Sequence, residues 1–384
     1  MKSSSAARIP CSLLSTLLLA ALPLGVGACG SAEDVGADGP LGRVEAAIDS
    51  GWQPLTLKTG WSNQSSPRVP SVGKVNGVVT FRGTITGSAS ATPVMFTLPP
   101  EFRPSGAHAG AADMRTIVAS GVGGTVFYNL NTFEVSIYQD GWNSTSTLGP
   151  AARLMTSLDG VSFDQNAGET LAAGTDWEAQ YPFRQDGAFG VFAKTTPDNF
   201  VRLQGFIIRP QGSTNPDGFL FNLPSAYRPG NTVTVPVNLA GRTSSQTWGY
   251  ISISSNGDVY VPWNVPAANK GTSLEGVWFS KTLSGNEDLS FRNGWGKYSA
   301  RSVKVGKYGD VVRFQGAVAG GTAQVLAVLP TSMRPSKDIN VVGVANGPAP
   351  AKLLIKTNGE ISVLYPPLNV ATVMVSLDGV SFWN

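Results

Sequence analysis

Apolar and polar residues alternate over short runs along most of this chain. From Val78 to Thr86 the alternation has the period of a half-buried strand and is rich in Val and Thr. Ile251 to Val261 and Leu353 to Val363 each read as two strands joined at an Asn-Gly pair, Asn256-Gly257 and Asn358-Gly359. Such a pair supplies the two positive φ angles of a type I′ hairpin turn. An earlier stretch carries Asn131-Thr132 at the corresponding place, so its turn is expected to be wider or built differently. Outside the N-terminal segment, apolar residues nowhere recur at three, four and seven over a helical length. The pattern predicts an all-β chain of short strands.

The strands come in repeated sets. Leu98-Pro99-Pro100-Glu101-Phe102-Arg103-Pro104 returns as Leu223 to Pro229 and again as Leu329 to Pro335, a Leu-Pro-x-x-Φ-Arg-Pro block in which Φ is Phe, Tyr or Met. Ser157-Leu158-Asp159-Gly160-Val161-Ser162-Phe163 closes one copy, Ser273 to Phe279 the next and Ser376 to Phe382 the last. A Val-x-Φ-x-Gly block lies at Val79 to Gly83, Val201 to Gly205 and Val312 to Gly316. An opener, Leu55-x-Leu57-x-x-Gly60-Trp61, matches Leu289 to Trp295 and, more weakly, Trp177-x-Ala179-x-x-Pro182-Phe183. The reading is three tandem β-sandwich, jelly-roll-like modules at 51–163, 176–279 and 288–384, each long enough to own a core. The linkers, Asp164 to Thr175 and Ser280 to Glu287, are short. The copies should therefore be neighbours, in a row or closed about a pseudo-threefold axis.

The first residues carry a different pattern. Lys2 and Arg8 precede an apolar stretch from Leu13 to Val26 that is too short and wrongly flanked to span a membrane. Small residues lead to Cys29, a sequence that resembles the lipobox of bacterial lipoproteins. Residues 1–28 thus read as a lipoprotein signal and Cys29 as the lipidated residue, with ordinary cleavage after Ala28 as the alternative. The only other cysteine, Cys11, lies inside the signal, so no intrachain disulfide can form in the mature chain. A diacylglyceryl group with an N-acyl chain would supply the two signals that stable anchoring needs. Residues 29–50 are small, acidic and Gly-rich, and read as a flexible tether with a reach of about 25 Å.

Composition then narrows the function. Charged residues are 14% of 384 and apolar residues 42%. The 45 Gly and 26 Pro fall at fixed block positions, as turn punctuation used three times. The formal charge of +3 falls to +1 once Lys2 and Arg8 are removed, which argues against a nucleic-acid partner. A single His, His108, in a small-residue loop, argues against a His-based metal centre or a Ser-His-Asp triad. No P-loop, Gly-x-Ser-x-Gly or calcium-loop motif occurs. The reading includes no metal, no cofactor and no catalysis.

Taken together, the four blocks resemble a β-rich module found at the C-termini of phage tail and fibre proteins and in bacterial surface proteins. The resemblance covers all three copies, best in the first and third. The second departs from it at Glu275 and Trp278 and in lacking Gly-Trp. It implies surface display and contact with a receptor or glycan, and trimeric assembly of such modules in phage suggests that three copies in one chain imitate a trimer covalently. No catalytic residues are carried over.

Residues shared by the copies are expected to maintain the fold. Trp61 and Trp295, with Phe183 in their place in the second copy, read as core aromatics. Each copy also has one recurring Arg and one recurring acid, Arg103 with Asp159, Arg228 with Glu275 and Arg334 with Asp378. These are expected to pair, because a guanidinium offers a planar fork to a carboxylate. The alternative has each Arg over apolar surface and each acid capping its own turn. Binding is expected at unshared aromatics beside Asn or Asp: Tyr138, Asp140, Trp142 and Asn143 in the first copy, and Trp248, Trp263 and Asn264 in the second. An aromatic face with planar donors and acceptors suits a neutral sugar. The expectation is a non-catalytic lipoprotein of the outer membrane or cell surface. It would bind a glycan or a surface protein and reach the membrane only through its lipid. A self-associating coat or scaffold protein of the envelope is the rival, and a glycan hydrolase a distant third.

Overall fold

Each copy threads its chain through the same two antiparallel sheets. The computed structural model describes residues 48–64, 69–104, 112–119, 122–129, 131–139, 149–166, 168–173, 178–179, 190–208, 218–241, 246–261, 270–282, 287–298, 302–345, 350–365 and 374–384. In the first copy a four-stranded sheet runs in the order Ile48–Pro54, Ser71–Val75, Val78–Arg82, Ser162–Asp164. The second repeats it with Glu169–Leu171, Val191–Thr195, Phe200–Gln204 and Trp278–Ser280. The third repeats it with Glu287–Asp288, Lys304–Tyr308, Val311–Gln315 and Ser381–Trp383.

The second sheet is most complete in the third copy. Its eight strands run in the order Ser290–Phe291, Val325–Val328, Glu360–Tyr365, Pro350–Ile355, Ile339–Ala345, Val375–Ser376, Ala317–Ala319, Gly296–Lys297. Its two edge strands are consecutive in sequence, so the sheet must curl until its ends approach one another at Trp295. The second copy has seven strands in the corresponding order. In the first copy the same path is split in two; the single bridge Val118 to Thr156 rejoins the pieces, and Leu57 bridges to Phe96 at the far edge. A core fills the space between the two sheets of each copy, with Val79, Phe81 and Phe163 against Phe96, Val126 and Ile137 in the first. The all-β class read from the alternation is the class observed.

The shared blocks explain why the fold repeats. Gly83, Gly205 and Gly316 stand where the chain leaves one sheet for the other, with φ of 96°, 102° and 96°. A Cβ on Gly205 would meet the Gly190 carbonyl oxygen at 2.4 Å, so only glycine fits this corner. The closing block docks on it. Leu158, Leu274 and Leu377 donate N–H groups to the three glycine carbonyls, each at 2.8 Å. The glycine N–H groups in turn donate to Asp159 Oδ1 (3.2 Å), Glu275 Oε1 (2.9 Å) and Asp378 Oδ1 (2.8 Å). The Arg of the Leu-Pro block folds back over a one-turn 3₁₀ helix. Arg103, Arg228 and Arg334 donate through Nε to the carbonyls of Leu98, Leu223 and Leu329 at 3.0, 2.8 and 3.2 Å.

These bonds correct the expected Arg–carboxylate pairs. In all three copies the guanidinium and the carboxylate are each engaged by backbone at separate corners, so Arg103, Arg228 and Arg334 are not held by Asp159, Glu275 and Asp378. Four further readings change. Asn256-Gly257 and Asn358-Gly359 are not type I′ turns, because only the glycines have positive φ, 96° and 88°. The Asn side chains accept the N–H of Asp258 and Glu360, which holds a three-residue loop with glycine last. The paired positive φ occurs at Asn76-Gly77, 51° and 74°, and at Asn293-Gly294, 49° and 74°. The second copy begins before residue 176, since Glu169–Leu171, read as linker, is its first strand. Strand register aligns Glu178 with Ser62 and Gly296, so Phe183 is not the counterpart of Trp61 and Trp295; Trp177 occupies that place in the sequence. The span read as a tether, 29–50, overlaps an edge strand, Ile48–Pro54; the rest of it lies outside the described residues. Trp61 and Trp295 are buried, and their indole N–H groups donate to Thr92 and Ala323 carbonyls at 2.9 and 2.8 Å.

The copies touch one another through equivalent strands. Ala112–Ile117, Val233–Gly241 and Ile339–Ala345 meet pairwise within the one compact unit formed by residues 43–384. Ser157 Oγ of the first copy donates to the Asn340 carbonyl of the third at 2.9 Å, and Ser376 Oγ of the third donates to the Thr234 carbonyl of the second at 2.8 Å. The closing-block glycines pack here with φ of 81°, 75° and 75°. A Cβ on Gly160 would face the Ser381 carbonyl, on Gly276 the Ser162 carbonyl and on Gly379 the Trp278 carbonyl. Each copy therefore abuts the next, and the third abuts the first.

Candidate functional site

Around this common contact the four-stranded sheets form three seams, built at equivalent positions from different chemistry. Between the first and second copies, Asp164 is buried against Arg202, whose Nε lies 2.7 Å from Oδ2 and whose Nη2 donates to Ser162 Oγ at 3.0 Å. Lys194 also pairs with Asp164. Between the second and third copies, Arg313 Nη1 lies 2.8 Å from Asp198 Oδ2 and covers the Phe200 ring at 4.3 Å. Burial lowers the Arg313 pKa, and the Asp198 charge opposes that shift. Between the third and first copies the register positions of Arg202 and Lys194 hold Thr80 and Gly73. Trp383 occupies the position of Asp164 and meets Trp52 edge-on, ring centroids 4.5 Å apart. Val75 and Val311 complete that apolar contact.

Beside the third seam lies a groove of about 380 Å³, lined by Trp52, Pro54, Val69, Ser71, Arg82, Ser336, Lys337 and Asn384. Its volume falls in the range of small-ligand sites, about 300–1,000 Å³. The Arg82 guanidinium rests 4.1 Å above the Trp52 ring, a cation–π contact that fixes its plane. Val69 is 49% exposed and offers an apolar wall. The copies differ at these positions. The place of Arg82 holds Gln204 and Gln315 in the other copies, and that of Lys337, two residues past the Arg-Pro, holds Gly106 and Asn231. A cavity of about 40 Å³ where the three copies meet has room for little more than water.

The residues chosen from the sequence are partly visible. Tyr138 lies on Glu134–Gln139 and meets Phe127 edge-to-face at 5.8 Å. Cross-strand pairing runs from Tyr138 through Thr125 to Arg115, whose Nη1 donates to Asn238 Oδ1 of the second copy at 3.4 Å. Asn238 pairs with Trp248, so the fold brings the Tyr138 and Trp248 positions to one junction. Tyr260, 39% exposed, pairs with Phe219 at 5.5 Å. Asp140, Trp142, Asn143, Trp263, Asn264, His108, Phe183 and Cys29 lie outside the described residues. The groove residues Trp52, Arg82 and Lys337 escaped sequence reading. The available signal was a basic or aromatic residue where the other copies hold none. Among the described residues no three His, Cys, Asp or Glu side chains are grouped to hold a metal ion. Comparison with family models, curated proteins and solved structures finds no match to the chain.

Proposed function

We propose that the chain is an exported, lipid-anchored bacterial surface protein whose three modules together bind a glycan without catalysis. The groove carries this reading. Recurring residues are spent on corners, turns and cores, whereas the groove is lined, Ser336 apart, by residues the copies do not share. It combines an aromatic ring, apolar walls and fixed polar groups, the composition of a saccharide site. The signal-like N-terminus ending at Cys29 and the resemblance to phage and surface modules support the export and display parts. A glycan array probed with residues 43–384, the compact unit, should show saccharide binding that is weakened by Trp52→Ala or by a Trp142→Ala, Trp263→Ala double variant. Loss with the first assigns binding to the groove, and loss with the second to the aromatic loops. No binding to any saccharide would overturn the reading. In bacteria, Cys29→Ser should abolish acyl labelling and release the protein from the membrane.

A further inference from the structure

We infer that one hairpin of the second copy, residues 191–204, is a conformational link that ties its seam with the first copy to its seam with the third, so that loosening one loosens the other. Its strands, Val191–Thr195 and Phe200–Gln204, pair antiparallel with Lys194 directly opposite Arg202. Val201 and Leu203 point into the core of the second copy. Phe200 and Arg202 therefore share the outer face, about 7 Å apart as alternate residues of a strand. Each serves a different neighbour. Arg202 and Lys194 hold Asp164 of the first copy, and Arg202 Nη2 donates to Ser162 Oγ. Phe200 meets Tyr308 of the third copy edge-on at 5.0 Å and lies 4.3 Å beneath Arg313, which pairs with Asp198 two residues earlier. The turn makes these contacts move together. Asp198 accepts the Thr196 hydroxyl, the Thr196 N–H donates to the Phe200 carbonyl at 2.8 Å, and Asn199 stands between them at a φ of 62°. Phe200 is wedged between Trp278, at 5.2 Å, and Tyr308. Neither Asp198 nor Phe200 can turn without shifting the strand that carries Arg202.

Charge strengthens the link. Among the described residues two carboxylates, Asp164 and Asp198, face three cations, Lys194, Arg202 and Arg313, and all but Lys194 are at most 10% exposed at their side chains. Burial lowers the Arg313 pKa; Asp198 opposes that shift, Arg202 adds to it, and Asp164 of the first copy opposes it. Arg313 thus senses a carboxylate of the first copy, although its own ion pair is with the second. Without the Asp164 charge, the surplus in this buried array rises from one positive charge to two, and Arg202 repels Arg313 where salt screens little. The other copies lack the device. The places of Lys194 and Arg202 hold Gly73 and Thr80 in the first copy, and Gly306 and Arg313 in the third.

The test is hydrogen–deuterium exchange of residues 43–384, read by mass spectrometry, which reports the opening of each strand separately. Asp164→Asn in the first copy should speed exchange in the third, over Lys304–Tyr308 and Val311–Gln315, by about tenfold. Asp198→Asn should reciprocally speed exchange over Ser162–Asp164 of the first copy. Adding Lys194→Met to Asp164→Asn returns the surplus to one positive charge, and should bring exchange in the third copy back to within about threefold of the unsubstituted protein. Ser162→Ala removes only the hydroxyl that holds Arg202 Nη2. It should raise third-copy exchange about threefold, and it carries the test if Asp164→Asn does not fold. Val126→Ala, in the core of the first copy, measures loosening by lost stability alone and should raise third-copy exchange far less. A rise confined to the first and second copies overturns the inference. So does an equal rise with Val126→Ala, or no reversal by Lys194→Met, because general instability or a lost hydrogen bond would then account for the effect.

Discussion

The seam between the first and second copies gives the sharpest energetic test. Asp164 and Arg202 are 1% and 3% exposed at their side chains, with Nε and Oδ2 2.7 Å apart. Removing one member of a buried pair costs about 3–5 kcal/mol, because the remaining charge keeps its desolvation penalty without its partner. Here Lys194 remains beside Asp164, which places Arg202→Met at the lower end, about 3 kcal/mol. Replacing both members by apolar residues removes the stranded charge. Arg202→Met with Asp164→Leu should therefore be no less stable than Arg202→Met alone, and should recover about 1–3 kcal/mol of the loss. Urea unfolding of residues 43–384, followed by far-UV circular dichroism and tryptophan fluorescence, measures both variants if the two probes coincide. The half-exposed pair Lys356 and Glu360 is the control, and Lys356→Ala should leave the midpoint almost where it was. A cost below about 1 kcal/mol for Arg202→Met, or strictly additive costs in the double variant, would refute the claim that a stranded buried charge governs this seam.

Two further outcomes follow from the geometry. Gly379→Ala puts a Cβ 2.6 Å from Val235 Cγ1 at a φ of 75°, and should destabilise by more than about 1 kcal/mol in the same assay; Gly296→Ala, with nothing within 4 Å, should not. Tyr128 is fully buried, and desolvation raises its phenol pKa well above the ordinary 10.0. The folded state therefore keeps a proton that the unfolded state releases. This contribution to stability is intact below pH 10 and is lost as pH rises from there toward the raised value, so Tyr128→Phe should flatten the alkaline fall in stability measured by urea unfolding.

Much of the fold was legible because its strongest constraints are local and occur three times. A glycine at positive φ, a leucine under a proline and an alternating strand each leave the same trace in every copy. The misreadings were of direction. Arg103 and Asp159 recur together, and recurrence suggests contact; each instead binds backbone a few residues away or across a corner. Asn-Gly suggested a two-residue turn, but the asparagine side chain held a wider one. In the second copy the opener's Gly-Trp is absent, so Pro182-Phe183 resembles it more than Trp177 does, although Leu171 and Trp177 keep the spacing of Leu55 and Trp61. The groove was hardly legible, since Trp52, Arg82 and Lys337 are far apart in sequence and unremarkable singly.

The sequence by itself determined the three-copy organisation, the strand period and the glycine corners, because these depend on backbone conformation and nearest neighbours. Only the tertiary structure decided which copy meets which, and with what chemistry. Asp164, Ser280 and Trp383 hold one equivalent position and have quite different surroundings. A carboxylate there is stable because Arg202 and Lys194 face it, and an indole is stable because Trp52, lying on Gly73, and Val75 face it. Those partners lie on the neighbouring copy, tens to hundreds of residues away. No local pattern encodes them, and burial makes each pairing favourable only when the whole body has closed.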